Sequence, residues 1–181
     1  GQKKKENAET VTFENLKLGY YLVDSSVGAL CSLDTTATEV TIEEKNGVPS
    51  VDKKVQEDST SKWESSNTAD IGQIVNFKTT ITAQAGAQSY VLHDKMSEGL
   101  TFDANDANTV TVKKGTADVE KKYYTLKTTG LTDKCTFEIE FNENFCNTLE
   151  ANDTITVTYT AKLNEKAVIA GDCKNTTWLS Y

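Results

Sequence analysis

The chain has 181 residues and a formal net charge of −8, and all 19 of its basic residues are lysine. A nucleic-acid binder needs a basic field and usually the arginine fork, so that class is excluded, and phosphate-ligand enzymes lose ground because no glycine-rich phosphate loop occurs. Abundant threonine, short recurring runs of Val, Ile, Phe and Tyr, and a single proline, Pro49, read as all-β, in a length that suits one domain plus a fragment or two small domains.

In chain order, "GQKKKENAET" (1–10) reads as a truncated start, so the chain is expected to be a piece of something longer. "TVTFENLKLGYYLVDSS" (10–26) predicts strand, turn, strand, and "TEVTIEEKNG" (38–47) a further strand ending at Asn46-Gly47. Pro49 then marks a boundary. Three strands are too few for a stable domain, so residues 1–47 are expected to be the closing strands of a preceding domain or a linker. From residue 48 onward strands are predicted at 50–57, 73–83, 88–95, 109–114, 122–128, 135–141, 154–163 and 175–181, with a short helical turn within 143–153. That spacing predicts an antiparallel β-sandwich over 48–181. No apolar run is long enough to span a membrane and no signal peptide is present, so no membrane contact is expected of this fragment.

The four cysteines, Cys31, Cys135, Cys146 and Cys173, show no CxxC spacing. No metal site and no cofactor are therefore expected. One or two disulfides or free buried thiols fit equally, and the sequence assigns no pairing.

Alternation places unusual residues on the apolar faces of three strands. Lys53 shares its side with Val51 and Val55, Asp94 with Tyr90 and Leu92, and Asn175 with Thr177, Leu179 and Tyr181. Taken alone, Lys53 fits an edge strand whose stem covers apolar surface while its head reaches water. Together, the three suggest a reaction. Burial disfavours charge, so a buried lysine loses its proton and a buried aspartate gains one. A neutral amine is a nucleophile, and a neutral acid can polarise the Asn side-chain carbonyl. Attack and loss of ammonia then give a Lys–Asn amide.

Several motifs resemble those of sortase-assembled pilins of Gram-positive bacteria, of the isopeptide-forming fimbrial-subunit type. "PSVDKKV" (49–55) is similar to the family's P-x-V-x-K-x-V. "IGQIVNFKTTI" (71–81) is similar to its G-D-T-V-x-Y-x-I strand, with Gln73 for the usual Asp, and "YVLHDKMSEGLTF" (90–102) to its V-x-D-x-x-x-x-G-L-T-F segment. "ITVTYTAKLNEKAVIAGDCKNTTWLSY" (155–181) resembles its closing strands. The resemblance implies a collagen-adhesin A-type Ig-like β-sandwich in which Lys53 is the nucleophile, Asp94 the catalytic acid and Asn175 the acceptor. "FENLKLGYYLV" (13–23) resembles the end of a preceding pilin domain, where Asp24 stands at the place of a catalytic Glu. "EEKN" stands where the family carries Y-P-K-N, which makes Lys45 the candidate lysine that sortase joins to the next subunit, although Glu replaces both Tyr and Pro. No LPxTG sorting signal occurs, as expected of a chain lacking its C-terminal part.

The resemblance thus implies an extracellular, cell-wall-anchored shaft subunit with neighbouring pilin subunits as partners. It would not be a turnover enzyme, since the reaction consumes its own residues. The alternative is a surface adhesin module on the same fold that binds host glycan or matrix protein. A sandwich-fold carbohydrate-active enzyme is a third class, but nothing in the spacing selects two carboxylates for it. His93 and Asp94 are adjacent and point to opposite faces, which argues against a Ser-His-Asp triad built on both. "DANDAN" (103–108) lacks EF-hand spacing and reads as a surface turn. Trp178 alternates outward beside Asn175, where it is free to make a subunit or ligand contact.

Overall fold

The computed structural model describes residues 13–23, 29–33, 47–103, 110–131, 133–167 and 173–181. The chain falls into two compact units, Gly1–Lys45 and Asn46–Tyr181.

In the first unit β1 (Gly19–Val23) pairs antiparallel with β2 (Ala29–Leu33), so that Tyr21 lies opposite Cys31. Two sequence expectations change here. Residues 13–18 form no strand, so the expected first strand of 10–26 is absent where it is described, and β2 falls between the stretches for which strands are expected. The expected strand at 38–47 lies outside the described residues except for Gly47, as do Asp24 and Lys45.

The second unit is an antiparallel β-sandwich. One sheet runs in the order β4 (Trp63–Glu64), β3 (Ser50–Gln56), β5 (Ile74–Thr82), β12 (Thr154–Leu163), β8 (Thr111–Lys114), β9 (Ala117–Asp118), and β7 (Leu100–Phe102) also pairs with β12. The facing sheet runs β10 (Tyr124–Lys127), β11 (Phe137–Phe141), β6 (Val91–Met96), β13 (Asn175–Ser180). The first and last strands of the unit, β3 and β13, thus lie in opposite sheets.

Period-two patterning explains the layers. In β12 Ile155, Val157, Tyr159 and Ala161 are buried while the threonines alternate away from them, and in β5 Val75, Phe77, Thr79 and Ile81 do the same. From the other sheet Leu92, Phe137, Ile139 and Phe141 close the core. Phe137 meets Tyr159 edge-on at 5.0 Å between ring centres, and Phe77 stacks on the same tyrosine at 5.6 Å.

The eight strands expected after residue 48 are present, β12 over the expected residues and the other seven with shifted ends. β6 begins at Val91 rather than residue 88 because Ser89 takes a left-handed φ of 52°. Pairs as short as β4 and β9 carry no period of their own, and β9 exists because Gly115, at φ 57°, turns the chain back so that Lys114 meets Ala117. The helical turn is α1 (Glu143–Cys146): Asn142 caps it by accepting from the Phe145 amide at 3.0 Å, and it buries Phe145 and Cys146. Cys135, Cys146 and Cys173 are free thiols, and the Cys31 side chain falls outside the described ones.

Candidate functional site

Lys53 extends from the middle of β3, where alternation carries it inward between Val51 and Val55 and register pairs it with Thr79 on β5. Its side chain is only 13% exposed, and Nζ lies 5.5 Å from the centre of the Tyr159 ring and 5.8 Å from that of Phe77. The carboxylate facing it belongs to the other sheet. Asp94 sits on β6 between Phe137 and Thr177 of the neighbouring strands and is 0% exposed. Its Oδ2 forms an ion pair with Lys53 Nζ and accepts a hydrogen bond from the Tyr159 hydroxyl at 2.5 Å.

Asn175 opens β13 opposite Met96, two residues along β6 from Asp94 and on the same face. Its Nδ2 donates to the Tyr159 hydroxyl at 3.2 Å. The structure therefore gathers Lys53, Asp94 and Asn175 around one tyrosine. Two acceptors at this centre are buried without a hydrogen-bond partner among the described residues, Asp94 Oδ1 and Asn175 Oδ1. An unmatched buried acceptor is costly, so a missing donor at this point matters.

Electrostatics move both charged groups toward neutrality. Burial pulls Lys53 from 10.5 to about 8, even though the charge of Asp94 and the hydrogen bond to it act to hold the proton on. Burial likewise pushes Asp94 above the usual carboxylate range, outweighing Lys53, Tyr159 and Asn175, which favour its charged form. Tyr159 is pushed well above the usual phenol range, by burial first and by Asp94 second, so it stays protonated. A groove of about 690 Å³ runs past Lys53 and Asn175, with Val55, Phe77 and Leu100 among its lining residues.

Sequence reasoning missed Tyr159. The available signal was its inward phase in "TITVTYTAKL": a buried tyrosine hydroxyl needs a polar partner. Glu98, the nearest alternative acid in sequence, is 83% exposed and pairs with Lys166 at 3.4 Å, away from this centre.

A second polar group occupies the other face of the same sheet. His93, Glu138 and Trp178 are register neighbours on β6, β11 and β13. The indole of Trp178 stacks on the imidazole at 5.1 Å with 2° between planes, and His93 Nε2 lies 2.8 Å from Ser180 Oγ. The turn before β11 brings Asp133 and Cys135 to the same imidazole. Burial, reinforced by Asp133 and Glu138, pushes the Cys135 thiol up to about 12. Trp178 accordingly faces away from Asp94, as alternation implies, but it covers a histidine rather than standing free.

No protein-family model and no curated protein matches the chain. Solved structures share its fold. The pilus backbone RrgB of Streptococcus pneumoniae superposes with a TM-score of 0.58 at 22% identity, over 75% of this chain and 31% of that one. The Corynebacterium diphtheriae major pilin SpaA, whose structure points to a modular pilus assembly stabilizing isopeptide bonds, gives 0.55 at 16% identity over 92% and 44%. The N-terminal domain of the Streptococcus gordonii adhesin Sgo0707 gives 0.52 at 20% identity over 73% and 28%. The chain spans less than half the length of each of these. At such identities the likeness is one of fold, the Ig-like β-sandwich of pilin domains.

Proposed function

We propose that this chain is part of the shaft subunit of an extracellular, cell-wall-anchored pilus. In this reading residues 48–181 form a collagen-adhesin A-type domain that closes itself with a Lys53–Asn175 isopeptide bond. The observation that carries the reading is the buried meeting of Lys53 and Asp94 from opposite sheets, with Asn175 held beside them by Tyr159.

The chemistry follows from these contacts. A proton passes from Lys53 Nζ to Asp94, which leaves a neutral amine and a neutral acid, the direction in which burial pushes both. A proton on Asp94 Oδ1 supplies the donor that Asn175 Oδ1 lacks and draws charge from the Asn175 carbonyl carbon. Nζ attacks Cγ, and the carbonyl electrons move to Oδ1. Asp94 then takes the proton released by Nζ and returns one to Nδ2. The Cγ–Nδ2 bond breaks, ammonia leaves, and an Nζ–Cγ amide remains. Tyr159 acts as a positioning residue, since its hydroxyl contacts Asp94 and Asn175 at once. Fixed proximity in a dry site supplies much of the rate. The reaction runs once and consumes its own residues, so the protein is not a turnover enzyme.

Residues 1–47 would then close a preceding pilin domain, with Lys45 as the lysine joined by sortase to a neighbouring subunit. The second reading is an adhesin module that binds host glycan or matrix protein, and the likeness to Sgo0707 favours it. Intact mass and peptide mapping test the bond that underlies the first. The expected result is a chain lighter than its sequence mass by one ammonia, with Lys53 and Asn175 in one branched peptide. Full recovery of both residues in unmodified linear peptides would rule the bond out.

A further inference from the structure

The group on the outer face of the β6–β11–β13 sheet brings one nitrogen, one sulfur and two carboxylates to a common point. The ligand atoms of His93, Asp133, Cys135 and Glu138 all lie within 4.8 Å of one another. Nδ1 of His93 is 2.7 Å from Asp133 Oδ2, 3.2 Å from Glu138 Oε1 and 3.9 Å from Cys135 Sγ, and Sγ is 3.6 Å from Glu138 Oε1. A tetrahedral ion with bonds of about 2.0–2.3 Å needs ligand-to-ligand edges of roughly 3.3–3.8 Å, so the ligands must rotate, and the thiol must give up its 2.5 Å contact with Asp133 Oδ1, to enclose one.

Three independent features point to a cation. First, Asp133 Oδ2 is buried and has no hydrogen-bond partner among the described residues, although it lies 2.7 Å from Nδ1. Second, the other imidazole nitrogen, Nε2, is 2.8 Å from Ser180 Oγ. A metal-binding histidine commonly donates its remaining N–H to such a neighbour, which leaves the lone pair of Nδ1 facing the cluster. Third, Trp178 stacks parallel on the ring and fixes its plane, so that the lone pair is aimed rather than free to swing.

We propose that His93 Nδ1, Cys135 Sγ, Asp133 and Glu138 form a binding site for a zinc-class divalent cation on the outer face of the sandwich. Imidazole and thiolate select a borderline ion such as Zn²⁺ over Ca²⁺ or Mg²⁺, which prefer all-oxygen shells. Binding replaces the thiol hydrogen with the metal and releases one proton to solvent. The ion would pin the 133–136 turn to β6 and β11. The spacing is invisible to a search for CxxC because the ligands are assembled by strand register. His93 and Glu138 are paired across β6 and β11, and Asp133 and Cys135 come from the turn just before β11.

The test uses the full chain, stripped with chelator, dialysed and kept reduced with a non-chelating phosphine. Zn²⁺ alone is titrated by calorimetry, and Co²⁺ alone by absorption. The expected result is one equivalent of Zn²⁺ bound, together with the visible bands of tetrahedral cobalt and a near-ultraviolet thiolate-to-cobalt band. Cys135→Ser should remove that band, and Ser180→Ala should weaken Zn²⁺ binding about 10-fold or more. His93→Gln should abolish tight binding, with circular dichroism showing the fold retained. Asn175→Ala, which cannot form the internal amide, should bind Zn²⁺ as the parent does, separating this site from the buried one. No Zn²⁺ binding, an octahedral cobalt spectrum, or tight binding that survives both Cys135→Ser and His93→Gln would overturn the proposal, leaving a histidine held between two carboxylates.

Discussion

Tyr159 on β12 and Asp94 on β6 are joined across the sandwich by a 2.5 Å hydrogen bond, and the same hydroxyl receives one from Asn175 at 3.2 Å. The tyrosine therefore bridges Asp94 and Asn175. Tyr159→Phe keeps the ring that packs on Phe77 and Phe137 and removes only the oxygen. A single hydrogen bond of this kind is worth about 0.5–1.5 kcal/mol, so the cross-link should form roughly 2- to 10-fold more slowly yet reach completion. The time course of ammonia loss, followed by mass spectrometry, checks this. An unchanged rate would show that Tyr159 only packs.

Asp94→Ala is a harsher change. It leaves Lys53 without its partner and takes away the only fully buried carboxyl group among the described residues. General acid–base catalysis contributes about 10²–10⁴-fold, so bond formation should slow by that order or stop while the β-sandwich remains recognisable by circular dichroism. Normal ammonia loss in this variant would mean that another group moves the protons. Glu98 is too exposed to be that group.

The pH dependence of the unlinked domain follows from Lys53. In Asn175→Ala the amine persists, with a midpoint expected near 8 instead of 10.5. Between those values the unfolded chain binds more protons at this site than the folded one, so the contribution of Lys53 makes stability rise with pH across the window from 8 to 10.5. Below it both states hold the proton and the full cost of the buried cation remains. Carbon-13 labelling of lysine Cε with NMR titration reads the midpoint directly. Chemical denaturation at the two ends of the window, compared with Lys53→Met/Asn175→Ala, reads the slope. A midpoint near 10.5 would show that the amine is solvated.

Much of this site was legible because β-strands have a strict two-residue period. Lys53, Asp94 and Asn175 could be assigned inward from their apolar neighbours alone, and the structure brings Lys53 and Asp94 into contact from facing sheets. What alternation cannot supply is which inward residues of different strands meet. Tyr159 joined the site through the pairing of β12 with β5, and His93 met Glu138 through the pairing of β6 with β11. Both depend on long-range register. Short pieces such as β4, β7 and β9 were missed for a related reason: two or three residues carry no measurable period and owe their conformation to a neighbour.

Gly99 offers a test of packing apart from the chemistry. A Cβ placed there would sit 2.4 Å from Cys173 Sγ and 2.9 Å from the Ala167 Cα. The sulfur can rotate away, but the backbone of Ala167 cannot yield without shifting the segment after β12. Gly99→Ala should therefore destabilise the unit by about 1–3 kcal/mol, the range for overpacking. Gly99→Ala/Cys173→Ala, which removes the sulfur, should recover only part of that loss. Urea denaturation of the two variants measures both effects, and a neutral Gly99→Ala would show that the 97–100 turn adapts freely.

The last prediction concerns the amide as a mechanical element. It would tie β3 to β13, which lie in opposite sheets, and close a loop between positions 53 and 175. By analogy with disulfides, a loop near 100 residues is worth about 4.7 kcal/mol through restriction of the unfolded chain. Each kcal/mol shifts the melting temperature by about 2–8 °C in domains of 60–250 residues, so losing the bond should lower Tm by more than about 10 °C. Lys53→Ala removes the bond and the buried amine together, whereas Asn175→Ala removes the bond but keeps the amine. Lys53→Ala should therefore be the less stable of the two near pH 7, because it leaves the fully buried Asp94 without its ion-pair partner, whereas Asn175→Ala keeps the pair. Under tension applied at the two ends of the 48–181 unit, a parent holding the proposed amide would carry load from β3 to β13 through one covalent link, and the strands between would be spared. Single-molecule stretching should find the parent inextensible at forces that unfold either variant. Calorimetric melting gives the thermal order. Equal melting and equal extension in parent and variants would show that the amide, even where it forms, does not bear the load.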